Sequence, residues 1–210
     1  MQIAIAFEPT EEQKRRFDQD GFLIVEKLIE PAAVEALRAR FAPLFRGEFE
    51  TGLMPDEWNW REGRDSPALT RQICNGWRAD RTLASMVLSP DVGRLCAALM
   101  DWPGARICQD NVLWKPPGAK SLGFHQDDAY QHWTVPASMV TCWVALDDTT
   151  AAGGTMELVR GSHRWGIGKP ATQFHAPEDY RAEMLAAEAL KIMEDHKINA
   201  LVVVDDEDRP

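Results

Sequence analysis

No basic run long enough to follow a phosphate backbone occurs in the 210 residues, whose formal net charge is −10. Nucleic acid is therefore not an expected partner, because phosphate binding needs Lys and Arg concentrated on one face. No apolar run approaches the length that spans a bilayer, so no membrane association is expected. Met1–Phe7 is apolar but has no basic leader and reaches Glu8 and Pro9 at once, which does not fit a signal peptide. Cysteine is scarce. Cys74, Cys96, Cys108 and Cys142 show neither paired nor zinc-like spacing, so they read as buried, reduced thiols of a cytoplasmic protein. Internal repeats and low-complexity segments are absent too, which leaves one ordinary globular domain, 1–210.

Local signals are strongest in the first half. Thr10 and Gln13 stand at capping-box spacing and Gly21 suits a left-handed helix end, predicting a first helix between them. Phe22–Val25 reads as a short strand, and Pro31 opens a second helix with Val34, Leu37, Phe41 and Leu44 on one stripe. From Gly47 to Asn75 the pattern breaks into Gly, Pro, Asp and Arg, predicting a long loop. Its Trp58 and Trp60, with Trp77, either line a substrate entrance or plug the loop onto the core. Ser89 as cap and Pro90 as first residue predict a helix ending near Trp102–Gly104. After it come β-rich runs at Ile107–Lys115, Met139–Asp147 and Thr155–Arg160, then a helical pattern at Asp179–His196 and a strand candidate at Ala200–Val204. The expectation is a helical part and loop over 1–104 and a β core over 105–210.

The chemistry centres on Gly123-Phe124-His125-Gln126-Asp127. In an extended run His125 and Asp127 project to the same side and can take adjacent positions on one metal ion. A second histidine from elsewhere would complete the facial set of non-haem Fe(II) oxygenases, although a His-x-Asp alone also recurs by chance. In the preceding run alternation puts Gln109, Asn111, Leu113 and Lys115 on one face, directed either into a barrel, where they need a partner, or to solvent.

Around this pair stand Lys115-Pro116-Pro117, Trp143-Val144-Ala145-Leu146-Asp147, Gly153-Gly154 and Gly161-Ser162-His163. In order and spacing, from about Phe17 to about Gly166, the chain resembles the phytanoyl-CoA dioxygenase family of Fe(II)- and 2-oxoglutarate-dependent oxygenases. The resemblance implies an α+β fold, mainly β in its core: a double-stranded β-helix, or jelly roll, with N-terminal helices packed on one sheet. It implies Fe(II) held by His125 and Asp127, which are thus the catalytic centre, with 2-oxoglutarate and O2 as co-substrates. Gln109, Asn111, Thr141 and Trp143 are assigned to the 2-oxoglutarate site, Trp143 having plain core as its other reading. The implied reaction is hydroxylation of an unactivated C–H of a small molecule, with release of succinate and CO2. Related halogenases lack the carboxylate that Asp127 supplies, so its presence favours hydroxylation or a related oxidation over halogenation.

His163 lies in a motif that the family carries upstream of its third iron ligand, and reads as a turn residue or a support for the site. His132 and Trp133 read as mouth or exposed loop residues. The family's third ligand, in a His-Gly-Ser-like turn, and its later 2-oxoglutarate-binding arginine have no match; His196 and Arg209 are weak substitutes. The expectation is a domain incomplete at its C-terminus, the alternative being a catalytically silent or truncated β-helix binding protein.

Overall fold

The computed structural model describes residues 3–131, 134–136 and 138–167. The chain divides into two compact units, Met1–Ala119 with Thr134–Gly166, and Lys120–Trp133 with Ile167–Pro210. In the first unit, helix α1 spans Glu11–Asp20, and Thr10 and Gln13 exchange both bonds of the capping box. Gly21, at φ 85°, ends it by donating its N–H to the Phe17 carbonyl at 2.8 Å. That left-handed backbone is the conformation a residue without Cβ adopts freely.

Helix α2 spans Pro31–Phe45 and buries Ala33, Leu37, Leu44 and Phe45. Helix α3, Arg81–Val87, was not anticipated; its N-cap is Asp80, whose Oδ1 accepts from the N–H groups of Thr82 and Leu83 at 2.9 and 3.0 Å. The other oxygen of this fully buried carboxylate takes Arg40 Nε of α2 at 2.6 Å, so one side chain caps a helix and ties it to its neighbour. Helix α4 spans Pro90–Met100 behind the Ser89 cap and ends at Asp101, φ 52°, slightly before the expected boundary.

Taken together, Arg81–Met100 is long and apolar enough to cross a membrane, contrary to the expectation from sequence. The caps at Asp80 and Ser89 divide it into two helices, which bury Leu83, Met86, Leu95, Cys96 and Ala97. The apolar N-terminus joins this core: Ile3 and Ile5 are buried, Ile5 N–H donates to Asp91 Oδ2 at 3.0 Å, and Ser89 Oγ donates to the Ile3 carbonyl.

The sheet has three antiparallel strands, β1 (Glu57–Trp58), β2 (Arg71–Cys74) and β3 (Asn111–Trp114), in that order. Ile73 opposes Val112 and Arg71 opposes Trp114 on one face; Cys74 opposes Asn111 and Gln72 opposes Leu113 on the other. The first face packs into the core with Leu44, Phe45 and Trp60. Each such apolar side chain contributes about 1.5–3 kcal/mol when fully buried.

Several expectations are corrected. Phe22–Val25 is not a strand, and Ile24 is 76% exposed, so its apolar run finds no sheet to join. The expected loop 47–75 contains β1 and β2. Within it Trp60 is buried and Trp58 packs edge-on to Phe49, which is the plug reading for both. Only Asn111–Trp114 of the expected Ile107–Lys115 strand forms, because β2 offers partners for those residues alone. Met139–Asp147 and Thr155–Arg160 form no strand among the described residues; Val144 and Leu146 pack against the core while Met156 and Leu158 face outward. The α+β class stands, but a mainly β core is not what the described residues form. Cys108 and Cys142 are exposed rather than buried, and all four thiols are free. Asp179–His196 and Ala200–Val204 lie outside the described residues.

The Gly161-Ser162-His163-Arg164 motif has a clear structural task. Gly161 N–H donates to the Asp20 carbonyl at 2.8 Å, while His163 Nε2 and Arg164 Nη2 reach the Asp18 carbonyl at 2.9 and 2.6 Å. These are carbonyls of the last turn of α1, which have no partner within the helix. Arg160 adds an ion pair with buried Asp20 at 2.8 Å.

Candidate functional site

In the second unit, residues 120–131 carry the His-x-Asp pair. Gln126 is extended, at φ −106° and ψ 129°, and a short 3-10 turn over Asp127–Ala129 begins directly after it. The turn is closed by Ala129 N–H to the Gln126 carbonyl and Tyr130 N–H to the Asp127 carbonyl, both 3.0 Å, and Ala129 is its buried anchor. The run is thus extended only as far as Gln126, which is enough to put both side chains together: His125 Nε2 lies 3.3 Å from Asp127 Oδ1. Both remain about two fifths exposed, at 42% and 41%.

The other ring nitrogen, Nδ1, is 2.8 Å from the Gly123 carbonyl, and the ring stands edge-on to Tyr130 at 5.7 Å. A carbonyl can only accept, so Nδ1 carries the hydrogen and Nε2 is the nitrogen with a lone pair to offer when the ring is neutral. The Asp127 carboxylate raises the His125 pKa above its ordinary 6.5; burial works against this, and the Gly123 carbonyl adds to it.

This donor set fits a metal. Two ligand atoms about 2.1 Å from one ion and at right angles to each other are about 3 Å apart, close to the observed 3.3 Å. A histidine held through Nδ1–H by a backbone carbonyl is also the usual arrangement of a ligating imidazole. Among the described residues no group of three His, Cys, Asp or Glu side chains could hold an ion. His163 is committed to the end of α1, as expected of a turn residue, and His196, Arg209, His132 and Trp133 lie outside the described residues.

In the first unit, Asn111 Oδ1 is a hub. It accepts from Gln109 Nε2 at 3.1 Å, Gln72 Nε2 at 3.3 Å and Cys74 Sγ at 3.0 Å. Gln109 and Asn111 are therefore brought together, on the strand face opposite Val112 and Trp114, as the alternation predicts. Burial first, then the nearby Glu57 carboxylate, pushes the Cys74 thiol up to about 12, so it stays protonated and able to donate. Gln72 and Cys74 were missed as partners because only cross-strand register brings them to Asn111. Thr141 and Trp143 are exposed, in a stretch without strand pairing.

Beside this hub Asp110 turns the other way. Its Oδ1 accepts the Trp77 N–H at 3.2 Å, and its backbone carbonyl accepts the Asn75 N–H at 2.8 Å. Burial pushes its carboxyl up to about 6, against the two backbone donors Trp77 and Gly76 that favour the charged form.

The family model for phytanoyl-CoA dioxygenase matches residues 17–202. The chain belongs to the phytanoyl-CoA dioxygenase family. Among curated relatives it is 26% identical over 193 residues to the iron/alpha-ketoglutarate-dependent dioxygenase ausU of Aspergillus calidoustus, covering 85% of this chain and 60% of that protein. It is 29% identical over 166 residues to the ectoine dioxygenase of Bordetella parapertussis, covering 73% of this chain and 49% of that one. The chain thus spans about half to three fifths of the length of these two family relatives. The chain is also 83% identical over 30 residues to arabinose 5-phosphate isomerase KdsD of Pseudomonas aeruginosa, 14% of this chain and 9% of that protein. No solved structure matches.

Proposed function

We propose that the protein is an Fe(II)- and 2-oxoglutarate-dependent dioxygenase that hydroxylates an unactivated C–H bond of a small molecule, releasing succinate and CO2. The observation that carries this reading is the approach of His125 Nε2 and Asp127 Oδ1 to 3.3 Å with Nδ1 fixed on the Gly123 carbonyl. Family membership supports it, as do relatives named as dioxygenases, one of them for ectoine. In this reading His125 and Asp127 are two iron ligands and the third comes from outside the described residues. Gln109, Asn111, Thr141 and Trp143 contact the keto acid. The domain has a double-stranded β-helix core, and the protein works in the cytoplasm.

Iron, when bound, supplies activation of O2 coupled to decarboxylation of the keto acid. The chain's residues supply position. Gly123 sets the imidazole tautomer, and Asp127 would supply a second donor 3.3 Å from Nε2. The Asn111 carbonyl oxygen is already taken by three donors, so its amide N–H groups are what it offers a carboxylate.

The test is an anaerobic titration of the 210-residue chain with Fe(II) and 2-oxoglutarate, watching for the visible charge-transfer band of a chelated keto acid. The expected result is a saturable band that Asp127→Ala abolishes and Asn111→Ala weakens. A band that survives in Asp127→Ala would overturn the assignment of that ligand.

A further inference from the structure

A hollow of about 580 Å³ opens on the core-facing side of the sheet, between α2 and the segment 60–67. That volume is in the range of small-molecule sites. Ala42, Phe45, Trp60, Pro67 and Trp114 give it apolar walls. Arg71 lies among them, its guanidinium carbon 3.9 Å from the Trp60 ring centre and 4.2 Å from that of Trp114. The register explains the sandwich: Arg71 opposes Trp114 across β2 and β3, on the face that carries Ile73 and Val112 into the core.

The charge balance around it is incomplete. Arg64 pairs with Asp65 at 2.6 Å and Arg46 with Glu48 at 2.7 Å, and Glu62 stands at the rim. The Arg71 side chain forms no ion pair with any described carboxylate, and its Nε is buried without a hydrogen-bond partner. Two indole faces attract a cation but accept none of its N–H hydrogens in good geometry, so the hydrogen-bonding capacity of the fork stays open. A guanidinium in contact with two rings is also pre-organised, because much of its rotamer freedom is already spent.

We propose that this hollow binds an amphipathic organic anion: a carboxylate pairs with Arg71, and an aromatic or aliphatic body lies against the accessible surface of Ala42, Pro67 and Trp114. The site is on the strand face opposite Asn111 and does not depend on iron or 2-oxoglutarate. Its specificity is for shape plus one negative charge. Charge alone is insufficient, since Arg64 and Arg46 are already paired with Asp65 and Glu48 and a bare anion gains nothing from the apolar wall.

The test is calorimetric titration of the metal-free 210-residue chain with 2-naphthoate, with neutral 2-naphthamide and with inorganic phosphate. Naphthoate is expected to bind one to one, at least about tenfold tighter than naphthamide, and phosphate not at all. Arg71→Met keeps the apolar stack without charge and should reduce naphthoate to the level of naphthamide. Ala42→Trp fills the hollow while leaving Arg71 in place and should abolish binding of both, which decides the matter even if Arg71→Met does not fold. Unchanged naphthoate binding in either folded variant, or no saturable binding by the unmodified chain, would overturn the proposal. Phosphate binding as tight as naphthoate would do so as well.

Discussion

Asp110→Asn is expected to make the protein more stable at neutral pH and to leave it unchanged in mild acid. The native carboxyl sits at about 6 against an ordinary value of 3.8, mainly because burial penalises its charge. The folded state therefore holds this proton more tightly than the unfolded chain does. Stability from the group is full below about pH 4, falls as pH rises through 6, and is flat above. A two-unit elevation corresponds to about 3 kcal/mol, and partial solvent access trims that to about 2 kcal/mol. Asparagine cannot ionise, yet its oxygen can still accept the Trp77 N–H that Asp110 Oδ1 accepts at 3.2 Å. Urea denaturation followed by tryptophan fluorescence, at pH 4 and pH 7.5, gives the difference between the two proteins at each pH. Any acceptor lost with the second oxygen adds a constant offset, so the change between the two pH values is the readout. It should favour the variant by about 2 kcal/mol at the higher pH. An identical difference at both pH values would refute the reasoning.

Two further substitutions probe the joints of the first unit. Gly21→Ala forces a side chain into a φ of 85° and places its Cβ against His163 Nδ1. The backbone cost of about 1–2 kcal/mol then combines with a lost hydrogen bond of about 1 kcal/mol. A thermal melt should show a larger drop than Gly52→Ala, where φ is 76° but the space is open; equal drops would mean that the His163 contact contributes nothing. Asp80→Ala removes the cap of α3 and strands Arg40, at a cost of about 3–5 kcal/mol, and chemical denaturation with a loss below 1 kcal/mol would contradict the double role of that carboxylate.

How much of this was legible in the sequence depends on whether the determining contact is local. The start of α1 is written in Thr10 and Gln13 and that of α4 in Ser89 and Pro90, and both begin where those residues say. Strand β2 stayed hidden because Arg71 and Gln72 look like loop residues; one is made compatible with the core by two tryptophans and the other by Asn111. Conversely, Met139–Asp147 has strand composition, but a strand also needs a neighbour, which composition does not specify. At the site, the approach of His125 and Asp127 follows from their spacing, while the three donors on Asn111 follow from a register that no short window contains.

The clamp on the end of α1 also predicts an order of folding. Asp18 and Asp20 meet residues 140 to 146 positions further along the chain. A helix that nucleates early from its capping box thus keeps its last turn unfinished until most of the described chain has been synthesised and closed into a loop. Seeding is local at one end of α1 and completion is remote at the other, so in refolding the signal from α1 should precede protection of its C-terminal amides from hydrogen exchange.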